Sequence, residues 1–309
     1  MNLNAIPMGP ALRGWLGISE CSYEGENQTD PGPETWAWFE DRLGQHAGDT
    51  PPPGSGELVD IIEELVGMRL PTSVVNIHNK FKDLFPPDNF RVCQSMGAAH
   101  MLLGEHSKAG EFFDVATELE PGETAPWVNL AEICWALGED DAAEEYCQSG
   151  LKTDPNHHRL LEILASVFLA EDRDGAGENI RAMGRRLRSW AGLSLAAELI
   201  DPADHLLKSQ ILREAWDWGE RDPEFLTEYS AALGLAREYE KLKDIVAVGT
   251  KGSNPPWRLY AHGIQGLLAE EKLDDARKLL DEAGEKTDLP GEVKEELFRL
   301  YDAEAPPSP

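Results

Sequence analysis

The chain has 309 residues, 57 acidic against 28 basic, a formal net charge of −29 and 41% hydrophobic residues. A field of that sign repels phosphate backbones and anionic bilayer surfaces, which argues against direct nucleic-acid binding and favours encounter with a basic partner. The apolar share is enough for a core, and no run reaches the roughly 20 apolar residues that a membrane-spanning helix needs.

Met1 to Ser19 has no basic start followed by an apolar run, and Pro7, Gly9, Pro10 and Gly14 interrupt it, so it does not read as a secretory signal. Residues 1–56 read as a largely disordered arm. Glu20 to Pro33 is acidic and polar, Glu34 to Gly44 forms a short helix carrying Trp36, Trp38 and Phe39, and Thr50 to Gly56 is a Pro/Gly linker. The arm's apolar patches, Leu12 with Trp15 and the Trp36 cluster, suit docking onto the protein's own groove or onto a partner. A helical pair follows at 57–89. Its first member spans Glu57–Met68, with Leu58, Ile61, Ile62 and Leu65 on one face; its second spans Pro71–Phe85 and stops at Pro86-Pro87.

From Phe90 a regular rhythm begins. A frame restarted at Phe90, Thr124 and His158 puts Gly97, Ala131 and Ala165 at one place and Ala109, Ala143 and Gly177 at another. Pro121 and Pro155 also coincide. Packing explains the spacing. Two helices fold back as a hairpin, small residues let them approach, and Trp127, Leu130, Phe112 and Phe113 fill the space between. Such a hairpin cannot bury both faces alone, so neighbours must stack.

The stretch Cys93-x2-Met96-Gly97-x2-His100, continued by Ala109-x3-Phe113-x2-Ala116-x4-Pro121, resembles a tetratricopeptide repeat. Trp127-x2-Leu130-Ala131-x2-Cys134, continued by Ala143-x3-Cys147-x2-Gly150-x4-Pro155, resembles a second. A third, from His158, keeps its first helix but has Arg181 where a bulky apolar residue is expected. Residues 189–222 depart from the repeat pattern and read as two helices, Trp190–Ile200 and Ala203–Gly219. The frame returns from Pro223 and Trp257, with Leu242 matching Ala276 and Val246 matching Leu280. A helix over Pro290–Tyr301 caps the stack, and 303–309 is a loose tail. The resemblance is close over 90–157 and looser over 158–288. It implies an all-α fold, a right-handed α-solenoid over 90–302 with a short helical N-terminal region.

Motifs for chemistry are absent. No HExxH, GxSxG, Walker A or GxGxxG stands in the chain, the histidines lack metal-ligand spacing, and neither a cofactor nor a metal is implied. Glu171 to Gly175 fits a turn between helices better than a calcium loop, since the closing glutamate is missing. The four cysteines, Cys21, Cys93, Cys134 and Cys147, form no CxxC pair, which points to a reducing, cytoplasmic setting. Cys93, Cys134 and Cys147 fall at inward places of the frame.

The resemblance further implies that the first helices of successive hairpins line a concave groove. By frame, its candidates are Arg91, Gln94, Ala98 and Met101; Val128, Asn129, Glu132 and Trp135; Glu162, Ser166 and Leu169; and Arg258, His262, Gln265 and Leu268. The subgroup that grips the C-terminal carboxylate of heat-shock chaperones is matched only at Asn129, while Gln94, Ala98 and Glu132 depart from it. Arg181, Arg185, Arg186 and Arg188 make the one dense basic patch, suited to acidic peptides or to pairing with acidic neighbouring helices. These features describe a non-enzymatic adaptor, scaffold or assembly chaperone binding a basic or amphipathic segment of another protein. A regulatory subunit or stoichiometric inhibitor is the alternative, and an enzyme on a helical scaffold is disfavoured.

Overall fold

The computed structural model describes residues 6–18, 33–50, 54–171, 175–252 and 255–304. Expectations for 1–5, most of Glu20 to Pro33, the centre of the Thr50–Gly56 linker, Asp172 to Asp174 and the last five residues lie outside these, as does Cys21. The described secondary structure is helical throughout, and no described helix is long and apolar enough to cross a membrane. The chain divides into two compact units, Met1–Thr153 and Asp154–Pro309.

The first unit begins with α1 (Pro10–Trp15), α2 (Pro33–Asp49), α3 (Ser55–Gly67), α4 (Pro71–Lys80) and a 3-10 turn (Lys82–Leu84). Two hairpins follow, α5 (Phe90–Leu102) with α6 (His106–Leu119) and α7 (Thr124–Leu137) with α8 (Asp140–Thr153). The apolar stripe of α3, Leu58, Ile61, Ile62 and Leu65, is fully buried and organises one core. Phe39 and Leu43 of α2, Val74 and Ile77 of α4 and Met96 of α5 join it, so the first helices and the first hairpin share their interior.

Residues 6–18 differ from the loose arm that the prolines and glycines suggest. Ile6 and Leu12 are 0% exposed within the α3 core. Glu64 of α3 accepts the Ala11 and Leu12 amides at 3.0 Å each, which satisfies free donors at the start of α1. His46 Nε2 lies 2.9 Å from the Trp15 carbonyl, and the Trp15 ring meets Phe81 edge-on. The receiving surface is built by α2, α3 and α4, and no local pattern in 1–18 announces it.

Helix ends follow familiar chemistry. Asn89 caps α5 by accepting from the Val92 amide, and Gly138 closes α7 in the left-handed region at φ 74°. Inside the first hairpin, a Cβ added at Gly97 would lie 2.6 Å from Cε1 of the fully buried Phe113. The small residue therefore sets how closely α5 and α6 pack. Ala131 and Ala143 do the same between α7 and α8, both 0% exposed.

The second unit holds α9 (His158–Glu171) with α10 (Ala176–Leu187), α11 (Trp190–Ile200) with α12 (His205–Asp217), α13 (Pro223–Leu235) with α14 (Tyr239–Gly249), and α15 (Trp257–Ala269) with α16 (Leu273–Lys286). A last helix, α17 (Gly291–Glu304), buries Leu297 against α15 and α16. Residues 189–222, where the motif fails, form a hairpin like the others. Ser189 and Asp204 cap its two helices by accepting from the Gly192 and Leu207 amides. The α10–α11 contact is unusually tight: a Cβ at Gly177 would meet Ile200 N at 3.2 Å, and one at Gly184 would meet Leu193 N at 3.2 Å.

Candidate functional site

In the second unit, α9, α11, α13 and the start of α15 line a trough of about 500 Å³. Leu195 and Pro223 supply accessible apolar surface, over a floor in which Leu161 and Trp190 are buried. Glu162, Glu198, Glu224 and Glu228 supply negative charge, and Arg258 stands at the α15 side. The helices place these residues because each α9, α11 and α13 side chain that recurs every three or four positions shares a face.

A polar network ties this wall together. Ser194 Oγ donates to Glu228 at 3.0 Å, and Lys208 of α12 reaches Glu198 at 2.7 Å and Glu228 at 2.5 Å. Burial works against the Lys208 charge, but its hydrogen bonds to Glu198 and Glu228 outweigh that and hold its pKa above the ordinary value. Burial likewise opposes the Glu228 carboxylate, and the Lys208 hydrogen bond and charge carry it below the usual range.

The predicted groove residues divide between use and burial. Glu162 and Arg258 line the trough. Ser166 instead turns its hydroxyl to the Glu162 carbonyl at 2.8 Å, Leu268 is buried, and Gln265 and Leu169 are exposed. His262 lies 2.7 Å from Ser230 Oγ. Ser230 is 0% exposed and donates to the Thr227 carbonyl, so this Ser-His pair cannot present a nucleophile to a substrate.

Burial, then the Arg258 charge, push the His262 pKa below its ordinary 6.5. The unfolded chain therefore takes up this proton first as pH falls, and the stability conferred by neutral His262 is full above about pH 6.5 and lost as pH drops below it. His262→Gln is expected to flatten the fall of Tm between about pH 7 and 5.5 relative to the parent protein. An unchanged slope would assign that fall to other groups.

In the first unit, Arg91 is drawn onto α3, 2.6 Å from Asp60 and doubly bonded to Glu63. Gln94 is half-buried with its Oε1 lacking a partner. Ala98, Met101, Val128, Asn129 and Glu132 are also half-buried. Trp135 is 40% exposed near the end of α7.

Two arginines of the patch pair with α12. Arg181 reaches Glu214 of α12 at 2.8 Å, and Arg185 forks onto the same carboxylate at 2.6 and 2.7 Å. Arg186 and Arg188 remain on the surface, Arg188 closing α10 at φ 55°. The Arg185 hydrogen bond is the chief cause of a Glu214 pKa below the usual carboxylate range. Glu214→Gln is expected to cost about 1–2 kcal/mol at neutral pH, discounted for partial exposure. In the parent protein this contribution is present above the ordinary carboxylate pKa and disappears as pH falls through the lowered folded value, so parent and variant melts should converge in acid.

Sequence spacing missed Trp190, Ser194 and Glu198 because the frame was lost at α11, and it passed over Thr227 and Glu228 although the frame had returned at α13. The available signal was the capped helix start Ser189-Trp190, which parallels the Trp257 start of α15. The buried thiols are not reactive groups: burial raises the Cys93 pKa and pushes that of Cys134 up to about 11. Among the described residues no group of three or more His, Cys, Asp or Glu could hold a metal ion.

The sequence profile described as tetratricopeptide repeat matches residues 87–167. No curated protein matches the chain. Similar solved structures include a tetratricopeptide repeat protein from Parabacteroides merdae ATCC 43184, at 15% identity and TM-score 0.38, covering 80% of this chain and 98% of that one. Another is PilF of Pseudomonas aeruginosa, at 15% identity and TM-score 0.39, covering 68% and 96%. A third is the TPR2AB domain of yeast Sti1 in complex with pHSP90, at 16% identity and TM-score 0.32, covering 81% and 99%. The repeat assignment rests on the matched profile and on the hairpins themselves.

Proposed function

We propose that this chain, which carries tetratricopeptide repeats over residues 87–167, is a protein-interaction module that acts as an adaptor, scaffold or assembly chaperone. Its ligand is a basic or amphipathic segment of a less acidic protein. The observation that carries this reading is the trough of the second unit, which combines apolar surface from Leu195 and Pro223 with four glutamates. Three helix-to-helix steps of about 8–10 Å give it a length of roughly 24–30 Å. An extended segment of about seven to nine residues spans that distance. A net charge of −29 adds steering towards a basic partner.

Three buried cysteines, Cys93, Cys134 and Cys147, support a reducing, cytoplasmic setting. Exposed Trp135 offers an aromatic anchor on the first unit. The test is affinity capture with the full chain, repeated with Glu162→Lys plus Glu224→Lys and separately with Trp135→Ala. The charge reversals are expected to weaken retention of basic partners at least about tenfold. Capture of the same proteins in the same amounts by all three would overturn the reading.

A further inference from the structure

Lys208 belongs to α12, the second helix of its hairpin, yet its ammonium is not in open solvent. Only 18% of its side chain is exposed, and Nζ sits 2.7 Å from Glu198 and 2.5 Å from Glu228. Both glutamates line the trough. Both also line a second hollow of about 360 Å³ that contains Lys208, Asp201 and Leu235. The two carboxylates thus stand as a partition, with the trough on one side and the chain's own lysine on the other. Ser194 Oγ orients Glu228 from within α11.

We propose that Lys208 is a built-in competitor for the cationic group of the trough's ligand, a lysine- or arginine-bearing extended segment, and so sets the affinity of the site. This rests on the trough being the binding site. An ionised carboxylate has two oxygens with about four acceptor positions, so Glu198 and Glu228 can share a second cation arriving from the trough. The field of Lys208 opposes that arrival, and its flexible stem lets it hold or yield the carboxylates as the ligand enters or leaves. Arg258 repels cations from the α15 side, so the ligand's positive residue is directed to the Glu198–Glu228 part of the wall.

Fluorescence anisotropy on the full chain tests this with an end-blocked peptide of about nine residues that alternates lysine and leucine, and with its glutamate–leucine counterpart. Lys208→Met is expected to tighten binding of the lysine peptide about tenfold at low ionic strength, and the gain shrinks as salt screens the charges. Lys208→Gln, which keeps a hydrogen-bond donor beside the glutamates, tightens it in the same direction and covers the case in which the methionine variant does not fold. Lys278→Met removes an equal charge from an exposed position of α16 and leaves the affinity unchanged. The glutamate peptide does not bind. If Glu162→Gln with Glu224→Gln weakens the lysine peptide but neither Lys208 variant tightens it, the competitor role falls and the trough stands. If those two glutamine changes leave binding untouched, the trough reading itself falls.

Discussion

Changing Phe113 to alanine is expected to destabilise the first unit by about 3–5 kcal/mol, read from the denaturant midpoint. The ring is fully buried and presses on Gly97, where a Cβ would come within 2.6 Å of Cε1. Gly97→Ala alone overpacks the same contact and is expected to cost about 1–3 kcal/mol. In the double variant the new methyl enters space the ring has vacated, so Gly97→Ala adds almost nothing to the loss already caused by Phe113→Ala. A double-mutant cycle measures that coupling directly. Additive losses would mean that α5 and α6 do not meet through this pair.

Leu12→Ala is the second large effect. Leu12 is 0% exposed in the α3 core, and truncating such a side chain costs about 2–5 kcal/mol. Because α1 is short, the loss will show first as local opening, with faster amide exchange in α1 and on the facing side of α3. Glu64→Ala acts on the same docking by removing the acceptor of the Ala11 and Leu12 amides. Exchange in α3 that is identical in parent protein and Leu12→Ala would show that α1 does not dock in solution.

The hairpins at 90–157 were readable because their packing is local. A small residue on one helix and a bulky one on the next, such as Gly97 and Phe113, leave a recurring trace in the chain. The hairpin at 190–217 departs from that pattern: its closest approach is to the preceding helix, where α10 and α11 meet backbone to backbone at Gly184 and against Ile200 at Gly177. At Arg181 a bulky apolar residue is replaced by an ion pair with Glu214, a partner 33 positions away that the repeat pattern does not foretell. Losing that hairpin hid half of the trough, because Trp190, Ser194 and Glu198 lie on α11. The docking of residues 6–18 was legible only in part: the apolar patch of Leu12 and Trp15 suited docking, but the surface built by α2, α3 and α4 that receives it left no trace in 1–18. Pro7, Gly9 and Gly14 describe how freely the isolated segment moves, whereas Leu12 and Glu64 describe the surface that receives it.

The close approach of α10 and α11 also has a mechanical side. A helical stack bends by letting side chains slide past each other, and each interdigitated layer acts as a soft spring. Where Gly184 lies against the Gly192–Leu193 backbone there is little to slide. These two helices will therefore move as one stiff plate. When the second unit flexes, the compliance will fall to the α14–α16 joints, where the Leu242 and Leu279 side chains fill the space beside Gly266 and Gly263. Backbone relaxation on the microsecond scale should be quiet in α10 and α11 and concentrated in α14 to α16; the opposite distribution would contradict it.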